Sequence, residues 1–187
     1  MRDFTADLKI GKRNMAQVAS LITPELRLKE ASIAERQSKS SESQRDKLME
    51  IYALAGELTA EISPLTPCRA GCSNCCHINI SISPLEAGII ADEIGIDPGT
   101  GDITLTDDFY GSKCPLLVNE KCSVYHVRPY FCRRFISLMP SEYWCDHRRI
   151  LNHDFPLLQF SEINRAYYQL INGGGLRDIR RWFQPRD

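Results

Sequence analysis

The sequence predicts a helix-dominated α+β fold, with a cysteine-rich centre, a few short strands and an N-terminal helical extension. Three observations predict it. All eight cysteines fall between residues 68 and 145 of the 187. Residues 1–66 carry no cysteine and are rich in helix formers. The runs that alternate apolar and polar residues are short, so strands are minor elements. By composition the chain divides into a helical extension over 1–66, a cysteine-cluster domain over 67–145, and a helical segment over 146–187 packed on it.

In the extension, "ITPELRLKEASIAERQSKSSESQRDKLMEIYALAGELTAEI" has a polar, weakly amphipathic middle, "RQSKSSESQR". Its later half spaces Leu48, Ile51, Tyr52, Leu54, Ala55, Leu58 and Ile62 at helical intervals, which predicts a helix over about 43–62 with one apolar face. The prolines of "SPLTP" end it. That face reads first as a packing face; the sharper alternative is an arm that docks a protein partner or substrate.

After the first cysteines, "HINISIS" alternates Ile78, Ile80 and Ile82 with polar residues, the pattern of a half-buried strand. "SPLEAGIIADEIG" then predicts a helix. Ser83 is its N-cap, Pro84 suits the first turn, Glu86 completes a capping box and Gly95 stops it. "IDPGTGDITLTDDFYGSK" reads as loop, with a short strand over 103–106. "CPLLVNEKCSVYHVRP" reads as two extended runs joined by a turn at Asn119 and Glu120, and Pro129 opens a short helix through "YFCRRF". A helix over 161–172 ends at the glycines 173–175, and another covers "LRDIRRWF".

Composition narrows the function. Hydrophobic residues make up 43% and charged residues 25%, enough apolar material for a real core. A net charge of -1 gives no global field to draw nucleic acid or an anionic membrane. No apolar run reaches the ~18 residues of a membrane span, and the charged N-terminus lacks the apolar stretch of a secretory signal. The expected location is cytoplasmic. In a reducing compartment, clustered cysteines point to metal or redox chemistry rather than to disulfides.

The first cluster, "CRAGCSNCC", is C-x3-C-x2-C-C, from Cys68 through Cys72 to Cys75 and Cys76. Its short gaps let thiolates converge without costly loop closure, and Gly71 relaxes the backbone between the first two. Soft thiolates select zinc, Cu(I) or iron–sulfur clusters over magnesium or calcium. Adjacent side chains of an extended chain diverge, so Cys75 and Cys76 do not easily join one tetrahedral ion together with Cys68 and Cys72. The pair serves two centres, or one member supports or reacts rather than ligates. Cys114, Cys122 and Cys132 are spread out, each arriving on its own element to complete a site begun by the first cluster. Cys145, in "EYWCDHRR", suits either an eighth ligand or a core thiol. The domain thus reads as metal-organised.

Four thiolates on a divalent ion leave a net charge of minus two. Arg69, Arg128, Arg133 and Arg134 lie near cysteines in sequence and can offset it; Arg128 and Arg133 are the candidates for contact with a cofactor. His77, His126 and His147 follow cysteines closely, and Asp146 adjoins Cys145, but a lone histidine is more often neither ligand nor proton carrier. The triple glycine lacks the strand and spacing of a phosphate loop.

"CRAGCSNCC", "SPLEAGII" and "CPLLVNEKCSVYHVRPYFCRRF" together resemble the YkgJ-like cysteine-cluster family, the CxxCxxCC zinc- or iron-chelating domains and distant relatives of flagellin lysine N-methylase. The resemblance runs from Cys68 to about residue 135, through the first cluster, C-P-x-L, C-x-x-Y, R-P and C-R-x-F. It implies metal chelation by Cys68, Cys72, Cys75, Cys76, Cys114, Cys122 and Cys132. His126 sits where relatives often carry an acidic residue, which speaks against it as a ligand. Through the methylase relatives it also implies an iron–sulfur cluster and S-adenosylmethionine.

Three functions compete. The first is a metalloprotein that uses an iron–sulfur cluster, or a thiolate-bound zinc, for redox or group-transfer chemistry. The surplus of thiols leans toward iron–sulfur. The second is a zinc-organised interaction module without catalysis, its metal contributing about 10–16 kcal/mol to folding. The third is a methylase-like enzyme dependent on S-adenosylmethionine. It lacks a glycine-rich cofactor fingerprint, and Asn74 stands where radical enzymes of that cofactor carry an aromatic residue. Whether the protein is an enzyme stays open. No zinc-finger spacing supports nucleic-acid binding.

Overall fold

The computed structural model describes residues 2–99, 108–172 and 174–183. Three helices open the chain. α1 (Phe4–Leu21) starts at Asp3, whose carboxylate accepts the amides of Thr5 and Ala6. α2 (Pro24–Lys39) starts at Thr23 with Pro24 in its first turn. α3 (Gln44–Glu61), capped by Ser43, is the helix marked by the apolar spacing, and its face of Leu48, Ile51, Tyr52, Leu54, Ala55 and Leu58 is buried. The polar run between α2 and α3 is where the chain turns, and Ser43 serves there as a cap rather than as helix interior.

The remaining elements are short. They are β1 (Ser81–Ile82), α4 (Pro84–Ile94), β2 (Leu117–Val118), β3 (Lys121–Cys122), α5 (Tyr130–Arg134) and β4 (Ile136–Ser137). Then come α6 (His147–Ile150), β5 (Leu157–Leu158), α7 (Ser161–Ile171), β6 (Arg177–Asp178) and α8 (Ile179–Trp182). The strands pair antiparallel as β1 with β6, β2 with β3, and β4 with β5. Asn119 and Glu120 take positive φ (48° and 57°) between β2 and β3, the two-residue turn that matches strand twist. Among the described residues no helix is long and apolar enough to cross a membrane. The strand expected over 103–106 lies outside the described residues.

Two expectations are corrected. The strand over "HINISIS" contracts to Ser81 and Ile82, which face Asp178 and Arg177. One residue earlier the ladder stops, because the Ile80 amide donates to the Asp178 carboxylate at 2.9 Å instead of to a strand. The alternation of isoleucines records burial and not ladder length. The helix over "LRDIRRWF" is likewise shorter, since Arg177 and Asp178 pair with β1 and only Ile179–Trp182 is helical.

One apolar core runs from Val18 of α1 to Phe183 and takes in the buried faces of α2, α3, α4 and α7. α2, α3 and α7 pack on one another as a three-helix layer. α1 closes on the cysteine side: the Asn14 amide donates to the carbonyls of Leu65 (3.1 Å) and Leu138 (2.8 Å). Asp7 accepts from Arg2 at 2.6 Å and from the Trp144 indole at 2.8 Å.

Glu86 is at the centre. It forms the capping box with Ser83 and is 1% exposed. Its carboxylate accepts from the Ser83 amide (2.8 Å) and hydroxyl (3.0 Å), the Tyr52 hydroxyl (2.8 Å), the Tyr167 hydroxyl (2.6 Å) and the Tyr130 amide (2.7 Å). Five donors from α3, α5, α7 and the start of α4 thus meet one charge, whose helix end also favours an anion. Burial, then the adjacent carboxylate, pushes the phenols of Tyr52 and Tyr167 above their usual value.

Arg180 ties the C-terminal segment to the cysteine loop. Its side chain is 7% exposed and pairs with Asp178 at 3.0 Å. It donates to the carbonyls of Cys76 (3.4 Å), Ile78 (3.3 Å), Ser112 (2.5 Å) and Lys113 (3.3 Å).

Glu86→Ala leaves several buried donors unmet and is expected to cost about 3–5 kcal/mol of stability. Tyr167→Phe is expected to cost about 1.5–3 kcal/mol and Arg180→Ala about 2–3 kcal/mol, all read by urea unfolding. The raised phenols set an alkaline limit. Their stabilisation is complete below the unfolded-state value of about 10 and declines above it, at about 1.4 kcal/mol per pH unit for each. Denaturation followed from pH 9 upward checks this, and Tyr52→Phe or Tyr167→Phe should reduce the slope.

Candidate metal centre

Seven of the eight cysteines line one cavity of about 70 Å³, several times the ~10–15 Å³ that holds one water molecule. Cys68 and Cys72 reach it from the loop after the 3-10 turn Ser63–Leu65, and Cys75 and Cys76 from the 3-10 turn Asn74–His77. Cys122 comes from the end of β3, Cys132 from α5 and Cys145 from the 3-10 turn Glu142–Cys145. Arg69, Asn74, Tyr125, Arg128 and Phe135 complete the wall. All eight cysteines are free of disulfides.

The local chain explains this convergence. Gly71 takes φ +88°, so the loop can reverse between Cys68 and Cys72, where the Cys72 amide bonds back to the Arg69 carbonyl at 3.2 Å. The Cys76 amide then closes on the Ser73 carbonyl at 2.9 Å, starting the tight turn that presents both adjacent thiols. Asn74 bridges outward, donating to the Glu142 carbonyl at 3.2 Å and to the Cys72 sulfur at 3.9 Å. The two-residue turn at 119–120 returns β3 so that Cys122 faces the first cluster. The Tyr130 amide bonded to Glu86 fixes the first turn of α5, and with it Cys132.

The sulfurs do not share one electrostatic state. Burial pushes up the thiols of Cys68, Cys122 and Cys132, and lifts Cys145 to about 12. Within the adjacent pair the Cys76 thiol donates to Cys75. That bond, helped by the charge of Arg128, brings Cys75 down to about 7, while Cys76 is held up by it. Among the described residues no three Cys, His, Asp or Glu side chains are set around one point as the ligands of an ion are. The cavity therefore has the sulfurs as its wall rather than as a closed shell.

Several residues marked by the sequence lie elsewhere. Cys114 is not part of the wall: its amide donates to the Cys76 carbonyl at 2.7 Å, and burial lifts its thiol to about 11. Beyond this backbone link, its thiol lies near enough to those of Cys76, Cys122 and Cys132 to interact with them electrostatically. Arg133 is also off the wall. It donates to the carbonyls of Arg128 (2.9 Å) and His126 (2.5 Å) and lies 4.2 Å over the Tyr52 ring, with its pKa lowered to about 10 by burial. Arg134 bonds the Tyr168 hydroxyl at 3.1 Å. His126 pairs with Glu93 at 2.9 Å on the surface, and His77 stacks on His147 with ring centroids 5.5 Å apart. Asp146 caps α6 and pairs with Arg148 at 2.6 Å, which holds its carboxyl well below the usual range.

Arg128 is on the wall. Its guanidinium carbon sits 3.9 Å over the Tyr125 ring, and its buried Nε–H meets no acceptor among the described residues. A buried donor of positive charge beside seven sulfurs suits an anionic thiolate centre. Soft donors in this number suit zinc or iron. Sequence reasoning left Cys145 undecided and did not mark Asn74, Tyr125 and Phe135 as parts of the wall. No ligand chemistry singles these three out, because they line the cavity without being soft metal donors.

None of the curated proteins and none of the solved structures matches the chain. Residues 67–151 match the CxxCxxCC family model, described as "Putative zinc- or iron-chelating domain". The matched span holds all eight cysteines, Cys145 included, and its first gap here is one residue longer than the family name spells, the extra length falling in the turn at Gly71. Motif, cavity and family model thus agree over residues 67–151, just under half of the chain, in a likeness to the CxxCxxCC domains.

Proposed function

We propose that the protein carries an iron–sulfur centre in the cysteine cavity and works as a redox protein. The observation that supports this is the number of thiols, seven, that line a single cavity. One zinc ion or one cubane cluster takes four ligands, so seven thiols exceed the needs of either and suit a centre with more than one metal ion. Cys68, Cys72, Cys75, Cys76, Cys122 and Cys132 would hold it, with Cys145 as the seventh donor. A bound cluster supplies one-electron transfer.

The surrounding residues have separate tasks. Tyr125 and Phe135 give the sulfurs an aromatic wall, and Asn74 orients Cys72. The buried thiols are held protonated, so loading releases protons to solvent. Because the main core is built from aliphatic and aromatic side chains of the helices, the metal does not replace a core.

Protein isolated without oxygen is expected to be coloured and to contain iron with inorganic sulfide. Stoichiometric zinc in a colourless protein would replace the iron–sulfur assignment by a zinc one, and protein without either metal would overturn the proposal. Cys132→Ser and Cys75→Ser are expected to lose the centre, and Cys114→Ser to keep it, by metal analysis. Apparent metal affinity should fall as pH drops, about tenfold per unit for each proton released. Stripping the metal should raise hydrogen exchange in 67–77 and 122–145 while α2, α3 and α7 stay protected.

A further inference from the structure

We propose that Arg128 is the cation that offsets the negative charge of the loaded centre, and that Arg133, five residues on, is a backbone clamp with no part in it. The inference rests on the metal-centre reading above.

Four or more thiolates around a metal leave excess negative charge in a half-buried cavity, and such charge is stabilised by a fixed cation or hydrogen-bond donors close to sulfur. Two guanidinium groups border the cavity. Arg69 is 62% exposed on its side chain and pairs with Glu142 at 3.1 Å, so its charge is largely screened and answered. Arg128 is held differently. Tyr125 supports its guanidinium face at 3.9 Å, and its Nε–H is buried with no acceptor among the described residues. A donor held in that way is unsatisfied until an anion forms beside it. Sulfur lone pairs of deprotonated cysteines are the acceptors that the same cavity wall provides.

Arg133 shows the alternative. Its Nε and Nη2 donate to the carbonyls of Arg128 and His126, and its guanidinium covers Tyr52, away from the cavity. By gripping the Arg128 carbonyl it fixes the backbone that carries Arg128. The two arginines therefore differ in role: Arg128 presents its charge to the cavity, and Arg133 braces backbone outside it. The guanidinium matters because it stacks on an aromatic ring while presenting a directed N–H, which a lysine ammonium does not reproduce.

The test uses full-length protein, loaded without oxygen, in wild-type, Arg128→Gln, Arg128→Lys and Arg133→Gln forms. Metal affinity is read by chelator competition, the centre by its absorption spectrum and reduction potential, and stability by urea unfolding of both metal-free and loaded protein. Arg128→Gln is expected to lower metal affinity about 10–100-fold, to shift the potential to more negative values, and to leave metal-free stability unchanged. Arg128→Lys is expected to recover part of the affinity by restoring the charge. Arg133→Gln is expected to lower stability equally with and without metal and to leave affinity and potential unchanged. Wild-type affinity and potential in Arg128→Gln would overturn the role of Arg128, as would an equal loss of stability in its metal-free and loaded forms. A wild-type chain that takes up no metal would overturn the proposed function itself, and this inference with it.

Discussion

The fold depends on a carboxylate that must be solvated without water. Glu86 lies in the core at the start of α4, and burying such a charge is costly unless every lone pair is answered. The answer comes from neutral donors on separate elements: two phenols, two amides and the Ser83 hydroxyl. Because these belong to α3, α5, α7 and the first turn of α4, the charge fixes where the four elements meet. α5 carries Cys132, so one wall of the cysteine cavity is placed by a group that touches no sulfur.

A second set of restraints acts through carbonyl oxygens. Arg180 gathers carbonyls from the loop after Cys76 and from the segment before Cys114, and Arg133 gathers those of His126 and Arg128. Short strands of two residues cannot provide much ladder, and these guanidinium groups supply the directional bonds that longer sheets would otherwise give. The cysteine domain is thus held more by side-chain-to-backbone bonds than by regular structure. That suits loops whose main duty is to aim sulfur atoms.

Much of the architecture was legible where a local rule applies. The capping box of Ser83 and Glu86, the apolar face of α3, the turn at Asn119 and Glu120, and the short helix after Pro129 all follow from neighbours within a few residues. What escaped depends on distant partners. The strand at Ser81 is short because Asp178, almost a hundred positions later, takes the Ile80 amide. β4 and β5 pair across about twenty residues with no alternating pattern to announce them. At the site, the first cluster was readable from spacing alone. The place of Cys145 on the wall was not, since it follows from how α1, Trp144 and the segment after β4 pack. The tyrosines around Glu86 gave no signal either, as a phenol in a helix reads simply as apolar bulk.

The helical core closes on its own aliphatic and aromatic side chains, while the sulfurs line a cavity at its margin. The helical part of such a polypeptide has an apolar core of its own, independent of any inorganic cargo. Loading then becomes a later step, set by supply from the cell and by access through the cavity mouth. Such a chain would stand as an uncharged reserve, converted when metal is supplied rather than when translation occurs.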